Sequence, residues 1–341
     1  YQNISKWENQ TTLPDITMLP ALASFFDMSV DELLGLVQLK NEMYQESKAS
    51  TENYWNRRLE YLERTRKENW NEDYLQFVVQ NVWKIDQPVN ILDLGCGYGY
   101  MGLLLMPVLP GGSHYTGIDF AEQLINHGQT LFQEKNIDGS LILGNIFEIP
   151  EITQYDIVLC QSVLRHMGNS EPLIKKMMKL AKKNGLIVCI DTNREFECAG
   201  LYIDGMDYGE LCNHTGMDKY WKCEYENGDR DYAAAMRNAH MMRKLGIQNV
   251  QIRMSDAVSF VCPEQADYAQ KKSDFTKENN AWSGKMDRVK AVSHMVSRGM
   301  THKEAENYLD RDKKVETFLR EHENACYTRF RGKMISFGYN P

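Results

Sequence analysis

Residues 91–100, with the sequence ILDLGCGYGY, constrain the fold of this chain more than any other stretch. Residues 89–94 are a short apolar run that ends at a glycine cluster, a pattern that predicts a parallel strand buried on both faces. Three alternating glycines then predict a tight turn, and a helical pattern resumes over 98–107. Because Gly95 and Gly97 lack side chains, a ligand can lie against their backbone, and the following helix offers free N–H groups. The sequence therefore predicts a strand–turn–helix unit that binds a ligand.

The spacing of the glycines leaves the kind of ligand open. A phosphate-binding loop would need Gly-Lys-Ser/Thr, which does not occur in this turn. A dinucleotide fingerprint, Gly-x-Gly-x-x-Gly, fits Gly97, Gly99 and Gly102, so spacing alone does not exclude a nicotinamide cofactor. The acid before the turn, Asp93, and the motifs downstream favour a different cofactor.

The pattern Asp-Leu-Gly-Cys-Gly-x-Gly, which begins at Asp93, closely resembles motif I of the class I S-adenosylmethionine-dependent methyltransferases. In that family the loop holds the methionine part of the cofactor, and the acid lies beneath it. The resemblance covers roughly residues 85–260. It implies that Asp93, Gly95, Cys96 and Gly97 bind S-adenosyl-L-methionine and that the product is S-adenosyl-L-homocysteine.

Two further positions would hold the nucleoside of this cofactor. Asp119 ends the predicted strand 114–119, where a carboxylate can accept hydrogen bonds from both ribose hydroxyls; the alternative is an ordinary helix N-cap. The position resembles motif II of the family, which implies that Asp119 binds the ribose and that Phe120 lies along the adenine. Asn145 and Ile146 follow the third strand, where the family often has Asp. The amide oxygen of Asn145 and the backbone N–H of Ile146 would then bind the adenine.

Residues 155–166 resemble motif IV of the family, which implies that Gln161 lies at the methionine end of the cofactor. The sequence Gln-Ser-Val-Leu lacks the Asn/Asp-Pro-Pro-aromatic pattern of the exocyclic-amine nucleic-acid methyltransferases, and the chain has no Pro-Cys pair of the cytosine-C5 type. Base methylation by those routes is therefore not expected. His166 is a candidate general base, with packing or capping as the alternative, and Arg165 is a candidate ligand for an anionic substrate.

Strands and helices alternate between residues 89 and 191, which predicts an α/β, doubly wound, mostly parallel sheet with right-handed crossovers. Ligands of such sheets bind at the carboxyl ends of the strands, where the motif residues stand. The predicted elements are strand 89–94, helix 98–107, strand 114–119, helix 121–135, strand 140–144, strand 155–160, helix 171–183, strand 185–191, helix 231–245 and strand 248–254.

The resemblance implies seven strands, with an N-terminal helical segment and a helical insertion before the last strand. We expect the cofactor-binding domain at 85–262, the helical insertion at 263–325 and a final antiparallel strand at 326–341. Residues 192–229 are expected to be irregular and to wall the acceptor pocket.

Residues 1–36 resemble the second half of a Cro/XRE-type helix-turn-helix domain. Residues 4–9 (ISKWEN) would end the recognition helix, and residues 30–35 (VDELLG) would close the bundle, with Ser29 and Glu32 as a capping box. The resemblance implies that the intact domain binds DNA, and that the protein forms a homodimer to read paired half-sites; the alternative is a small helical fragment. Because the chain begins with Tyr inside this motif, we expect an incomplete N-terminus.

Residues 37–84 are expected to form a linker and a helical lid over the cofactor, with helices at 52–69 and 73–84. Tyr54 and Arg58 stand at positions i and i+4, so one face of the first helix would present both. As part of a lid they would meet the cofactor carboxylate or the substrate. The alternative is that the aromatic side chains simply pack on the sheet.

Composition restricts the remaining possibilities. A net charge of −8 gives no bulk field that attracts nucleic acid, and a mean hydropathy of −0.52 without a long apolar run predicts no membrane span. The eight cysteines form no CxxC pair, so we expect reduced thiols and a cytoplasmic protein. Four residues of the irregular segment could in principle bind zinc, but their spacing matches no standard pattern and we expect no metal: Cys198, Cys212, His214 and Cys223.

Three hypotheses about function remain open. The first, which we favour, is methyl transfer to an O, N or C atom of a small molecule, a displacement in which the protein mainly aligns donor and acceptor. The second is a transcriptional regulator whose methyltransferase-like domain senses the cofactor or a metabolite. The third is a nicotinamide-dependent dehydrogenase. The first hypothesis predicts binding of S-adenosylmethionine that is lost on Asp119→Ala. The second predicts cofactor-dependent operator binding without turnover. The third predicts a preference for the nicotinamide cofactor.

Overall fold

The computed structural model describes residues 15–25, 30, 54–151, 154–279 and 287–341. The chain divides into two units, Tyr1–Tyr54 and Trp55–Pro341. In the first unit, the Asp15 side chain accepts a hydrogen bond from the Thr17 N–H at 2.9 Å, and helix α1 (Leu19–Phe25) follows. Most of the predicted helix-turn-helix segment, including its capping box, lies outside the described residues.

The second unit alternates strands and helices over the part where the sequence predicts this. Its strands are β1 (Asn90–Leu94), β2 (His114–Asp119), β3 (Gly139–Leu143), β4 (Tyr155–Gln161), β5 (Ala181–Thr192), β6 (Leu201–Ile203), β7 (Gln248–Met254), β8 (Val258–Val261), β9 (Tyr327–Phe330) and β10 (Lys333–Tyr339). Its helices are α2 (Leu59–Arg66), α3 (Glu72–Phe77), α4 (Tyr100–Leu105), α5 (Glu122–Glu134), α6 (Glu171–Leu180), α7 (Arg194–Ala199), α8 (Tyr208–Leu211), α9 (Met217–Glu226), α10 (Ala234–Lys244), α11 (Tyr268–Asn279), α12 (Arg288–Ser297) and α13 (His302–Glu321).

Seven of these strands form the main sheet, in the order β3-β2-β1-β4-β5-β10-β7. The pairs β1–β2, β1–β4, β2–β3 and β4–β5 are parallel, whereas β10 is antiparallel to both β5 and β7. The predicted doubly wound, mostly parallel, seven-stranded sheet is therefore confirmed. Asp93 of β1 is aligned with Gly117 of β2 and with Leu159 of β4, so these strands end at the same edge.

Both faces of the main sheet are covered, which explains why its strands are continuous apolar runs. Ile91 belongs to one buried cluster, together with Val79 and Leu105. Its neighbour Leu92 belongs to another, together with Ile174 of α6. Because successive side chains of a strand point to opposite faces, a strand covered on both sides needs apolar residues throughout.

A second sheet of three strands, β6-β9-β8, was not predicted. Its strands pair antiparallel, and Ile203, Val261 and Tyr327 share a core cluster with residues of α11 and α13. The prediction that 192–229 is irregular is wrong, because α7, β6, α8 and α9 lie there. Most of these elements are too short to repeat a hydrophobic period, so their residues show no periodic pattern.

The predicted final antiparallel strand is present as β10, but it does not extend over the whole of 326–341. The segment contains two strands: β9 joins the small sheet, and only β10 joins the main sheet. Gly332, between them, has φ of +62°, a left-handed conformation that permits the sharp change of direction.

The predicted helix over 52–69 is not continuous. Residues 57–58 form a turn, and α2 begins only after Arg58, whose φ of −112° and ψ of 11° are not helical. Tyr54 belongs to the N-terminal unit and Arg58 to the second, so the predicted pairing of the two on one helix stays a prediction. The helix predicted over 73–84 is α3, followed by a π-helical turn at Val78–Val82.

Gly128 lies in α5, where helix propensity alone would favour alanine, but the packing around it predicts that alanine destabilises the protein. A Cβ there would lie 2.5 Å from the Tyr98 carbonyl oxygen and 2.5 Å from Leu141 Cδ1. Alanine usually stabilises a helix interior by about 1 kcal/mol relative to glycine. We instead expect Gly128→Ala to lower the free energy of unfolding by about 2 kcal/mol, because the backbone oxygen cannot move aside.

Chemical denaturation measures this change. Gly111→Ala is the matched control, because its Cβ would meet nothing within 4 Å. If Gly128→Ala were as stable as the parent protein, the close packing of α5 on the turn at Tyr98 would be wrong.

Candidate functional site

The turn after β1 is built on left-handed backbone. Gly95, Gly97 and Gly99 have φ of +75°, +59° and +75°, which residues with a side chain rarely adopt. The Gly95 N–H donates to the Ile118 carbonyl at 2.8 Å, which fixes the turn to the end of β2. A Cβ on Gly95 would also lie 2.5 Å from Val163 Cγ2, so the packing excludes a larger residue there.

Asp119 and the glycine turn meet at the carboxyl ends of β1 and β2. The Gly97 N–H donates to Asp119 Oδ2 at 2.8 Å, and the Ala121 N–H donates to Asp119 Oδ1 at 2.9 Å. The side chain is 7% exposed. Burial raises the pKa of this carboxyl, and the hydrogen bonds from Ala121 and Gly97 oppose the rise. The carboxylate therefore lies beside the glycine turn, where its role in binding ribose stays a prediction. The N-cap of α5 is Ala121 and has no side-chain cap, so Asp119 does not fill the N-cap role that was its alternative.

Asp93 lies beneath the turn and is almost completely buried. The Tyr115 hydroxyl donates to its Oδ2 at 2.5 Å, while its Oδ1 has no hydrogen-bond partner among the described residues. Burial raises the pKa of Asp93 to about 7, opposed by the Tyr115 hydrogen bond and the charge of Arg66. Cys96, the remaining residue predicted at the turn, is buried, with its Sγ 3.4 Å from the Gly97 carbonyl oxygen.

Arg66, at the end of α2, is a site residue that the sequence prediction missed. Its guanidinium lies 5.5 Å from the centre of the Tyr98 ring and 5.7 Å from that of Tyr100. A Cβ added to Gly97 would be 3.6 Å from Arg66 Nη1, so the cation faces the glycine turn. Its charge lowers the pKa of Asp119 as well. Arg58, which was predicted to meet the cofactor carboxylate or the substrate, has its guanidinium 5.0 Å from the Tyr61 ring centre, and that role stays a prediction.

The residues predicted to contact adenine lie at the ends of β2 and β3. Phe120 is 38% exposed, and Ile146 packs in part against the cluster that includes Leu92. Asn145 is exposed, and its Oδ1 already accepts a hydrogen bond from the Phe147 N–H at 3.0 Å. The Gly144 N–H donates to the Asp119 carbonyl at 2.9 Å, which brings this loop to the end of β2. Adenine binding by these residues stays a prediction.

The end of β4 places polar groups at the same edge of the sheet. Gln161 is 4% exposed, and within the described ranges neither its Oε1 nor its Nε2 has a hydrogen-bond partner. Ser162 follows with φ of +59°, an uncommon conformation for a residue with a side chain. The 3-10 turn Leu164–His166 comes next and contains Arg165.

His166 lies in a setting that opposes its protonation. Its ring contacts the Trp55 ring edge-on, with 5.3 Å between centroids. Burial holds the pKa of His166 well below its usual range, and four neighbouring cations, from Arg165, Arg230, Arg58 and Lys333, act in the same direction.

Lys333 and Asp191 are two further buried residues that the sequence prediction did not assign to the site. Lys333 begins β10, is 6% exposed, and donates from Nζ to Ser162 Oγ at 2.9 Å. Asp191, near the end of β5, is 0% exposed, and its Oδ1 has no partner in the described part of the chain. Burial lowers the pKa of Lys333 to about 7 and raises that of Asp191 to about 6. Lys333 was missed because 171 residues separate it from Ser162.

The described residues contain no group of three or more His, Cys, Asp or Glu side chains that could hold a metal ion. The alternative of a zinc site at Cys198, Cys212, His214 and Cys223 thus finds no support in the part of the chain that is described. None of the helices described is long and apolar enough to cross a membrane.

Comparison with known proteins finds similarity in the central part of the chain. Residues 85–232 match a family model described as "Methyltransferase domain". The ubiquinone biosynthesis O-methyltransferase of Rickettsia akari (strain Hartford) is 32% identical over 120 residues, which are 35% of this chain and 47% of that protein. The demethylmenaquinone methyltransferase of Listeria monocytogenes serotype 4b (strain CLIP80459) is 26% identical over 178 residues, 49% of this chain and 73% of that protein.

Among solved structures, the chain is similar to phosphoethanolamine N-methyltransferase 2 of Haemonchus contortus in complex with S-adenosyl-L-methionine. The TM-score is 0.42 with 9% identity, over 79% of this chain and 52% of that one. The chain thus spans about half the length of the first curated relative and of this structure.

Proposed function

We propose that this chain, whose residues 85–232 match the family model of a methyltransferase domain, is a class I methyltransferase that transfers a methyl group from S-adenosyl-L-methionine to a small-molecule acceptor. The observation that carries the proposal is the 2.8 Å hydrogen bond between the Gly97 N–H and Asp119 Oδ2. It joins a turn without side chains to an acid at the carboxyl ends of adjacent strands, where doubly wound sheets bind nucleosides.

The residues at this edge fit the chemistry of the cofactor. Asp119 offers carboxylate lone pairs to two ribose hydroxyls, and the left-handed glycines leave room for a ligand against the backbone. Arg66 supplies a cation for the carboxylate of the methionine part. The unpaired amide of Gln161 and the unpaired Oδ1 of Asp93 are buried polar atoms that a ligand would satisfy.

The reaction needs alignment more than acid–base chemistry. When bound, the cofactor supplies an electrophilic methyl group and its own leaving group. This chain therefore has to hold donor and acceptor in line and exclude water. The end of β4, from Gln161 to His166, lies next to the glycine turn, because Val163 packs on Gly95. We assign this segment to the acceptor side, with Arg165 as a substrate ligand.

His166 is assigned no proton-transfer step. A general base must gain a proton, and burial beside four cations disfavours the imidazolium form of this residue. Its contact with Trp55 supports the packing role that was its alternative. Substrate contacts by Tyr54 and Arg58 stay predictions.

The other hypotheses have less support. The family model favours S-adenosylmethionine over a nicotinamide cofactor. It leaves residues 1–36 outside its match, so DNA binding, homodimer formation and a regulatory role for that segment stay hypotheses that no described residue supports.

The proposal is tested by incubating the protein with methyl-labelled S-adenosylmethionine and a panel of phenols, amines and carboxylic acids, and by measuring S-adenosylhomocysteine. We expect product formation with at least one acceptor, and micromolar binding of S-adenosylhomocysteine by calorimetry. Binding without turnover on the whole panel would favour a sensor. Binding of NAD but not of S-adenosylhomocysteine would overturn the assignment.

A further inference from the structure

Two cations at the edge of the sheet form no ion pair with an acid in the part of the chain that the structure describes. Lys333 Nζ makes a hydrogen bond only to the neutral Ser162 Oγ, at 2.9 Å, as far as the described residues go. Within the same ranges, no ion pair or hydrogen bond involves the guanidinium of Arg165, which is only partly buried. Both belong to the acceptor side of the proposed site, because Ser162 and Arg165 directly follow β4.

Two neighbouring cations, the buried Arg331 and the partly buried Arg194, are paired with acids of the chain. Arg331, two residues before Lys333, is 5% exposed and pairs with Glu68 at 2.8 Å. Arg194 pairs with Glu197. Because an isolated buried charge is costly, such pairing is the ordinary solution. Within the described residues Lys333 and Arg165 have no such acid, which leaves both able to pair with an anion from outside the chain.

Four cations act together beside the end of β4. Arg165, Arg230, Arg58 and Lys333 all act on His166 in the same direction. Two acids oppose them, since Asp191 and Glu197 act on Lys333 and Arg165 acts on both acids. Glu197 pairs with Arg194, whereas Asp191 forms no ion pair with Lys333 or Arg165 in the described structure and contacts Asn238 at 3.5 Å.

Buried polar atoms without partners lie at the same edge. They are Gln161 Oε1 and Nε2, Asp191 Oδ1 and Asn238 Oδ1. Gln161 is paired with Ile190 across β4 and β5, and Asp191 follows Ile190, so these atoms surround the ends of two adjacent strands. Native proteins satisfy nearly all such atoms, so their clustering marks a place where a polar ligand binds.

We propose that the methyl acceptor is an organic anion whose oxyanion is held by Arg165 and Lys333 at the carboxyl ends of β4 and β5. The inference rests on the proposed function, because it identifies the acceptor side of the same site. Charge-assisted hydrogen bonds from a guanidinium and an ammonium are the strong way to bind a carboxylate or phosphate. Gln161 and Asp191 are then left to bind the polar group that is methylated.

Binding of an anion beside Lys333 should be coupled to the uptake of protons. Lys333 faces Arg165, Asp191, Glu197 and Arg66, and in this setting its pKa is about 7. A bound anion favours the charged ammonium and raises that pKa, so binding takes up protons near neutral pH. The affinity for an anion should therefore fall as the pH rises above that of neutrality.

The experiment is calorimetry on the full chain saturated with S-adenosylhomocysteine. The probes are acetate, benzoate and inorganic phosphate, each compared at equal ionic strength with the neutral acetamide and benzamide. We expect at least one anion to bind about tenfold more tightly than the amides. We also expect proton uptake when the titration is repeated in buffers of different ionisation enthalpy.

Single substitutions test whether Arg165 and Lys333 bind the anion. Arg165→Met and Lys333→Met should each weaken the anion about tenfold, whereas Lys333→Arg keeps the charge and should retain affinity within about threefold. Proton uptake should disappear in Lys333→Met and in Lys333→Arg. Lys183→Met, at an exposed lysine near the start of β5, is the control and should change neither quantity.

Binding of S-adenosylhomocysteine, measured first, separates failure of the proposed function from failure of the anionic acceptor. If S-adenosylhomocysteine does not bind, the proposed function itself is wrong. If it binds, but no anion binds better than the amides or the Lys333 and Arg165 variants leave anion affinity intact, the anionic acceptor is wrong and the methyltransferase assignment stands. Circular dichroism of each variant verifies that it is folded.

Discussion

Asp119→Ala should lower the affinity for S-adenosylhomocysteine by about 100-fold, because two charge-assisted hydrogen bonds to the ribose are lost. The structure adds a second cause. Asp119 also accepts the Gly97 and Ala121 N–H groups at 2.8 and 2.9 Å, so its removal releases the turn that lies against the cofactor. Isothermal titration calorimetry measures the change directly.

Glu122→Ala is the matched control for this variant. Glu122 is an exposed acid in the first turn of α5, three residues after Asp119. Its removal changes the net charge by the same amount but should leave affinity within about twofold, because an exposed charge contributes little. If both variants bind the ligand equally well, Asp119 does not hold the ribose. A thermal melt of each variant separates loss of binding from loss of fold.

Arg66→Met should weaken the amino-acid end of the cofactor selectively. We expect about a 30-fold loss of affinity for S-adenosylhomocysteine, which carries a carboxylate, because a charge-assisted pair is removed from a half-buried site. The affinity for 5′-methylthioadenosine, which has the same nucleoside but no carboxylate, should change less than about twofold by the same reasoning. Fluorescence competition with both ligands measures the two affinities side by side.

Arg57→Met provides the comparison for Arg66→Met. Arg57 is exposed and lies in the turn before α2, so its loss removes an equal charge away from the glycine turn. An equal loss for both ligands in Arg66→Met would mean that the variant damages the turn, through the contacts of Arg66 with Tyr98 and Tyr100, rather than the carboxylate site.

The centre of the fold could be predicted because its determinants are local. The strand β1, the glycine turn and the acid that ends β2 lie within 30 residues of sequence and each has a direct physical signal. The apolar run requires burial on both faces, and the alternating glycines require left-handed backbone. Together with the alternation of strands and helices and the resemblance to the methyltransferase motifs, they predict that Asp119 lies near Gly97, and the two residues share a 2.8 Å hydrogen bond.

The acceptor side could not be predicted, because it is assembled from distant parts of the chain. In the sequence, Lys333 is one polar residue of a terminal strand and has no distinguishing pattern. It reaches Ser162 because β10 pairs antiparallel with β5. The sequence prediction missed Arg66 for a different reason. One continuous helix was predicted over 52–69, but a turn interrupts it at residues 57–58, and Arg66 of the following helix α2 faces Gly97. Register of this kind depends on packing, not on composition.

The small sheet was missed because its strands are short and half-exposed. β6 has three residues, and β8 alternates exposed Val258 and Phe260 with less exposed neighbours. A three-residue strand cannot establish a period, and the pairing of β6 and β8 with β9 joins segments far apart in sequence. Such elements are specified by the core they cover, here the cluster with Tyr327.

The central claim is that the glycine turn and Asp119 hold the nucleoside of S-adenosylmethionine while the end of β4 faces its sulfur. A crystal structure with S-adenosylhomocysteine tests this most directly. We expect both ribose hydroxyls within hydrogen-bond distance of Asp119, the ligand carboxylate near Arg66, and the sulfur facing the segment from Gln161 to Arg165. A ligand bound elsewhere, or bound here with its ribose away from Asp119, would contradict the claim.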